Sequence, residues 1–217
     1  LRHMEEMVRD GADIIDIGAE SSRPGFVPMS AAEETERLLP FLEIVLAECP
    51  VPVSVDTFKA ETARAALRTG AHILNDIWGL QYAEEPREMA RVAADADAPV
   101  IVMHNQHGTV YDADIIDEMR AFFARSFAAA DAAGLSREKI ILDPGIGFGK
   151  TAEQNMHVLR RMNELVSYGG VDYPVLLGAS RKSFIGAALG LPVEERMEAT
   201  GAACVMGIER GASIVRV

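Results

Sequence analysis

Apolar residues gather along this chain in short β-branched runs, and one local arrangement precedes several of them. "GADIIDIG" from Gly11, "GAHILNDI" from Gly70 and "GASIVRV" from Gly211 each set Gly-Ala behind a stretch of helical spacing and ahead of an apolar run. Glycine readily ends a helix in the left-handed conformation, and runs this short read as strands buried on both faces of a parallel sheet. Four further runs fit the pattern: "VPVSVDT" (51–57), "PVIVMHN" (99–105), "IILDPG" (140–145) and "PVLLGAS" (174–180). Met119, Phe122, Phe123 and Phe127 recur at i, i+3, i+4 and i+8, which is one face of a helix. Ser30 with Glu33, and Thr151 with Gln154, have the spacing of capping boxes at helix starts. Pro40 falls within the Leu38, Leu39, Leu42 pattern and predicts a bend or a division of that helix.

About seven strands alternating with helices, without an Asn-Gly type hairpin signal, indicate an α/β fold with a parallel sheet. The chain opens in what reads as a helix already under way and stops in what reads as the middle of a strand. These ends and the strand count favour a (β/α)8 TIM barrel without its first strand and last helix over an open doubly wound sheet. One domain over residues 1–217 is expected.

Composition narrows the function. Lys and Arg number 21 against 33 Asp and Glu, a net charge of −12, which disfavours general affinity for nucleic acid or an anionic membrane. Cys49 and Cys204 stand alone and far apart, as two small buried hydrophobes in a reducing cytoplasm would. No apolar run reaches the ~20 residues of a membrane span, and no signal segment is expected at the start.

"ILDPGIGFGKT" (141–151) imitates a nucleotide-binding loop, yet Pro144 stands where a phosphate loop needs its first glycine N–H, and Lys150 where a dinucleotide fingerprint needs its third glycine. Chemistry in a parallel barrel gathers at the C-terminal ends of strands. Those places hold Glu20, Ser22 and Arg23; Asp56, Thr57 and Lys59; Asn75 and Asp76; Met103, His104 and Asn105; Asp143; Ser180 to Ser183; and Arg216. Carboxylates that accept and cations that donate suit a flat heterocycle on one side and an anionic group on the other. Each residue also has a plain structural reading: Asp143 as a turn acid, "SSRPG" as a Pro-Gly turn, Met103 and Phe148 as core, Lys182 and Arg216 as solvated cations. His104 and His107 lack a ligand set, so structural or pocket-lining use is expected of them.

Taken in order, "IDIGAESSRPG", "VSVDTFKAETA", "LNDIWG", "VIVMHN", "LDPGIGFGKT" and "GASRKSFIG" resemble the dihydropteroate synthases over nearly the whole chain. The resemblance implies that Asp143 and Asn75 bind the amino-pyrimidinone edge of a pterin and that Asp56 serves the neighbouring ring nitrogens. It gives Lys182 the carbonyl edge, Arg216 a stacking place, and Met103 and Phe148 the pocket lining. Ser22, Arg23, Pro24 and Ser183 would address p-aminobenzoate and the pyrophosphate, with Arg23, Lys182 and Arg216 as the catalytic cations. Mg²⁺ as cofactor, a homodimer and cytoplasmic location are implied as well. The family's Asn-bearing first loop, its closing helix and the His after the last strand's Arg have no counterpart, so no metal ligand is expected in this chain. Ser22 stands where the family usually has Thr. Methyltetrahydrofolate–corrinoid methyltransferases share the strand-end Asp and Asn and are the alternative enzyme; a non-catalytic pterin-binding remnant is the other alternative.

Overall fold

The computed structural model of the chain describes residues 1–20 and 29–217. In chain order the elements are α1 (Arg2–Arg9), β1 (Ile15–Ile17), α2 (Ala31–Glu48), β2 (Val53–Asp56), α3 (Ala60–Thr69), β3 (Ile73–Asp76), α4 (Glu88–Asp95), β4 (Val100–Met103), α5 (Ile115–Ala133), β5 (Ile140–Asp143), α6 (Ala152–Arg160), β6 (Ser167–Tyr168), β7 (Val171–Asp172), β8 (Leu176–Gly178), α7 (Ser183–Leu189), α8 (Met197–Glu209) and β9 (Ile214–Arg216). Every apolar run singled out from the sequence contains a strand. The chain falls into two compact units, Leu1–Ile101 with Phe127–Lys139, and Val102–Ser126 with Ile140–Val217.

In the first unit β1, β2 and β3 pair in parallel, with Ile15 opposite Val53 and Asp56 opposite Asn75. The Leu74 N–H reaches the Pro99 carbonyl at 3.0 Å, just ahead of β4. Ile15, Ile17, Val53 and Val55 form one side of a core that Leu38, Leu42 and Val45 of α2 close. That burial explains why α2 passes through Pro40 without dividing. An interior proline forfeits a hydrogen bond and costs about 3 kcal/mol or more, but Pro40 and Glu36, whose carbonyl loses its partner, are both exposed, so that carbonyl is open to solvent. The box at Ser30 forms as expected, Ser30 Oγ accepting from the Glu33 N–H at 3.2 Å and Glu33 Oε2 from the Ser30 N–H at 3.0 Å.

In the second unit β8 pairs in parallel with β9, Gly178 lying opposite Arg216. A parallel bridge from Leu142 to Val175 continues this pairing toward β5. Met119, Phe122 and Phe123 of this unit are buried, as is Phe127 of the first, as the α5 spacing predicts. α8 packs directly on β8: a side chain at Gly207 would collide with Leu177 Cδ2. Besides the parallel strands, the described residues include an antiparallel hairpin that no Asn-Gly type signal marks. β6 and β7 pair across Gly169 and Gly170, at φ 61° and 80°, the two positive angles that a tight hairpin turn requires. Cys204 is buried but Cys49 only half-buried, its thiol donating to the Val51 carbonyl at 3.4 Å.

Candidate active site

The first unit brings together two of the polar residues at the C-terminal ends of its strands, Asp56 and Asn75. Asp56 and Asn75 are cross-strand partners, which parallel pairing in register makes neighbours. Asn75 is fully buried, and its Nδ2 donates to Asp16 Oδ2 at 3.0 Å. That bond fixes the amide so that Oδ1 is its free end, and Oδ1 is buried without a hydrogen-bond partner. A buried acceptor left unpaired costs ~1–3 kcal/mol, so this atom marks a place prepared for a donor.

The second unit builds a denser group around Asp143 at the end of β5. Pro144 has no N–H, so the first donor of the turn is Gly145, which reaches Asp143 Oδ1 at 2.7 Å. Gly145 sits at φ +63°, and a side chain there would collide with the His104 carbonyl oxygen; only glycine fits. The second oxygen, Asp143 Oδ2, is buried with no hydrogen-bond partner and has Arg216 Nη2 4.0 Å away. The turn therefore takes Oδ1 of Asp143 and leaves Oδ2 as a buried acceptor.

Lys182 closes the other side. Its ammonium donates to the Ile146 carbonyl and stands 5.1 Å from the centre of the Phe148 ring, a cation–π contact. Burial lowers its pKa to about 8, against the attraction of Asp143 and with the repulsion of Arg216. Gly178 makes room for both cations, since a side chain there would lie 3.3 Å from Arg216 Nη2 and 3.5 Å from Lys182 Nζ. Met103 is fully buried, with its Cγ 3.3 Å from where a Gly145 side chain would begin. Asp143, Lys182, Arg216, Met103 and Phe148 are thus brought together. Ser183 follows Lys182 as the exposed first residue of α7. Ser22, Arg23 and Pro24 lie outside the described residues.

A family model described as pterin binding enzyme matches residues 1–217. The chain belongs to this family. Within the pterin binding enzymes it is similar to the dihydropteroate synthase of Bacillus subtilis strain 168, at 48% identity over 100% of this chain and 74% of that protein. A solved dihydropteroate synthase of Clostridium difficile, in the presence of pteroic acid, matches at a TM-score of 0.94 and 47% identity, covering 100% of this chain and 80% of that one. A second, from Xanthomonas albilineans with 4-aminobenzoic acid, matches at 0.91 and 35%, covering 100% and 77%. The fold is accordingly the α/β barrel type of these synthases.

Several features of this pterin binding enzyme carry no plain sequence signal. Asp16 on β1 holds Asn75 on β3 by a side-chain hydrogen bond that reaches past β2. Lys59 pairs with two carboxylates whose side chains are buried, Glu20 and, at 3.1 Å, Glu34, so it is a structural cation rather than a ligand contact. Glu20 also accepts the Met29 N–H at 3.3 Å. Asp76 turns inward, accepting the N–H groups of Trp78 at 2.9 Å and Leu80 at 2.6 Å. Burial nonetheless raises its pKa to about 6. His104 is buried, with its pKa lowered well below the ordinary value by burial and then by Lys150, and its Nδ1 is engaged by Lys150. Among the described residues no group of three or more His, Cys, Asp or Glu could hold a metal ion.

Proposed function

We propose that Asp143 and Asn75 bind the amino-pyrimidinone edge of the pterin in the dihydropteroate synthase reaction. In that reaction 6-hydroxymethyl-7,8-dihydropterin pyrophosphate condenses with p-aminobenzoate to give 7,8-dihydropteroate and pyrophosphate. The observation that carries the assignment is Asp143 Oδ2, a buried carboxylate oxygen without a hydrogen-bond partner, beside Lys182 and Arg216. A charged acceptor facing N–H donors forms bonds about twice as strong as neutral ones. Asn75 Oδ1 supplies a further acceptor, and Asp56 serves the ring nitrogens beside it.

Lys182 donates to the carbonyl edge, Arg216 lays its guanidinium plane on the ring, and Met103 and Phe148 line the pocket. The reaction is substitution at the exocyclic methylene. The carbon–oxygen bond to pyrophosphate breaks first, the cation left behind is delocalised into the ring, and the aromatic amine attacks and releases its proton to solvent. Positioning and preorganised positive charge carry the rate, with Arg23 receiving the pyrophosphate and Ser22, Pro24 and Ser183 addressing p-aminobenzoate. Mg²⁺ belongs to the reading as a partner of the pyrophosphate; among the described residues no group of three or more His, Cys, Asp or Glu could hold a metal ion.

A homodimer is the proposed assembly, supported by the apolar Met197, Val205 and Ile208 exposed along α8. Cytoplasmic location is proposed from the two unlinked cysteines. Among the described residues no helix is long and apolar enough to cross a membrane. The test supplies dihydropterin pyrophosphate, p-aminobenzoate and Mg²⁺ and measures dihydropteroate. Product formation supports the reading, pterin binding without product supports the remnant, and absence of pterin binding overturns every version.

A further inference from the structure

Lys150 has no part in the scheme above, yet its ammonium is enclosed by the protein. Its side chain lies buried behind the 144–149 turn, where Nζ donates to the carbonyls of Gly145 and Phe148, each at 3.0 Å, and to His104 Nδ1 at 2.9 Å. A lysine ammonium has three N–H donors, and here each has its own acceptor, so none is left for a ligand. A charge taken out of water costs several kcal/mol unless its partners compensate, and these three partners tie together the pieces that surround Asp143.

Gly145 is the link. Lys150 holds its carbonyl, while its N–H holds Asp143 Oδ1 at 2.7 Å. His104 is the second strut: its backbone N–H donates to the Asp143 carbonyl at 2.9 Å, and its own carbonyl sits against Gly145. Phe148 is the third, its carbonyl held by Lys150 and its ring placed beside Lys182. Because an ammonium only donates, His104 Nδ1 must accept, which leaves the proton of the neutral imidazole on Nε2.

Resting on the assignment of the pterin to Asp143, we propose that Lys150 is a positioning residue for the pterin half of the reaction. It sets the turn so that one oxygen of Asp143 is consumed by Gly145 and the other is aimed at the guest. It acts through the turn and touches no substrate.

The charge is part of the device. Burial lowers the Lys150 pKa to about 7, with Asp143 opposing the fall and Lys182 adding to it. The groups facing the cluster are Asp143 on β5, neutral His104 after β4, neutral Tyr111 ahead of α5, Arg125 on α5, Lys182 at the start of α7 and Arg216 on β9. Below pH 7 the ammonium is whole and all three struts stand. As pH rises through 7 the free protein loses one donor and one positive charge, so pterin binding has to restore the proton and weakens.

The experiment measures calorimetric affinity for 6-hydroxymethyl-7,8-dihydropterin in wild type, Lys150→Met and Asp143→Asn, from about pH 6 to about pH 9. Lys150→Met should weaken binding about tenfold to a hundredfold, the range that supporting residues command around ligating ones. In turnover it should raise KM for the pterin substrate by the same factor and move KM for p-aminobenzoate less than about twofold. Wild type should take up protons on binding above pH 7, and Lys150→Met should take up fewer. Should Asp143→Asn abolish binding while Lys150→Met stays within about threefold of wild type, the Lys150 proposal falls alone; should Asp143→Asn bind normally, the underlying pterin assignment falls. If Lys150→Met does not fold, wild type decides: affinity and proton uptake that stay flat through pH 7 overturn the proposal.

Discussion

Replacing Asp143 by Asn changes no shape and removes one charge, and the turn dictates how the new amide must lie. The Gly145 N–H sits 2.7 Å from Oδ1 and needs an acceptor, so in Asp143→Asn the amide oxygen stays at that position. The NH2 then occupies the place of Oδ2, the buried oxygen that has no hydrogen-bond partner. Two pterin N–H donors would meet a donor instead of a carboxylate. Hydrogen bonds to charged groups contribute ~1.5–3 kcal/mol each, so losing two removes about 3–6 kcal/mol, or roughly a hundredfold to ten-thousandfold in affinity. Calorimetric titration with the pterin substrate reads this directly, and an unchanged thermal midpoint establishes that the variant is folded. Affinity within about threefold of wild type would refute the reasoning, because no other orientation satisfies Gly145 and the guest together.

Two predictions concern stability. Lys59→Met strands Glu34, which is 1% exposed and accepts from Thr57 at 3.2 Å and Thr62 at 3.1 Å as well as from Lys59. Breaking a buried pair costs about 3–5 kcal/mol, which the urea midpoint will report; Lys59→Met with Glu34→Gln should recover part of it, and a loss below about 1 kcal/mol would mean the carboxylates are hydrated. Asp76 has a folded pKa of about 6 against an ordinary value of 3.8, so the native state binds more protons between those values and stability falls as pH rises from 3.8 to 6. Asp76→Asn should flatten that part of the stability profile, and an identical slope in both proteins would contradict it.

The strands and helix caps were legible because their causes are local. A buried parallel strand needs only an unbroken β-branched run, and a capping box needs only residues three apart. The hairpin was not legible, since each strand has two residues and β7 is exposed, leaving Gly169-Gly170 as its single mark. Pro40 does not divide α2, because its cost depends on which face of the helix meets water, and that is set by the Leu38, Leu42 and Val45 packing. At the site, Asp143, Lys182 and Arg216 stood out as polar residues behind apolar runs. Asp16 and Lys150 did not, because the first acts by a side-chain bond from β1 to β3 and the second through a turn folded back over its own side chain.

That folding back also explains why a stretch so like a phosphate loop is suited to a different guest. A phosphate loop turns its backbone N–H groups outward and sends its lysine to the anion. Here the Gly145 N–H goes to Asp143, the Gly147 N–H to Asn155 Oδ1 at 2.7 Å, and the Phe148 N–H to the Gly145 carbonyl at 3.0 Å. Lys150 turns inward as well. With those donors engaged inside the protein, what remains at the end of β5 is an acceptor, Asp143 Oδ2. A carboxylate oxygen repels phosphate and attracts N–H groups, so under the proposed assignment this turn takes the nitrogen-rich edge of a heterocycle. Any pyrophosphate on the same guest must find its positive charge on other residues, which is the place the scheme gives to Arg23.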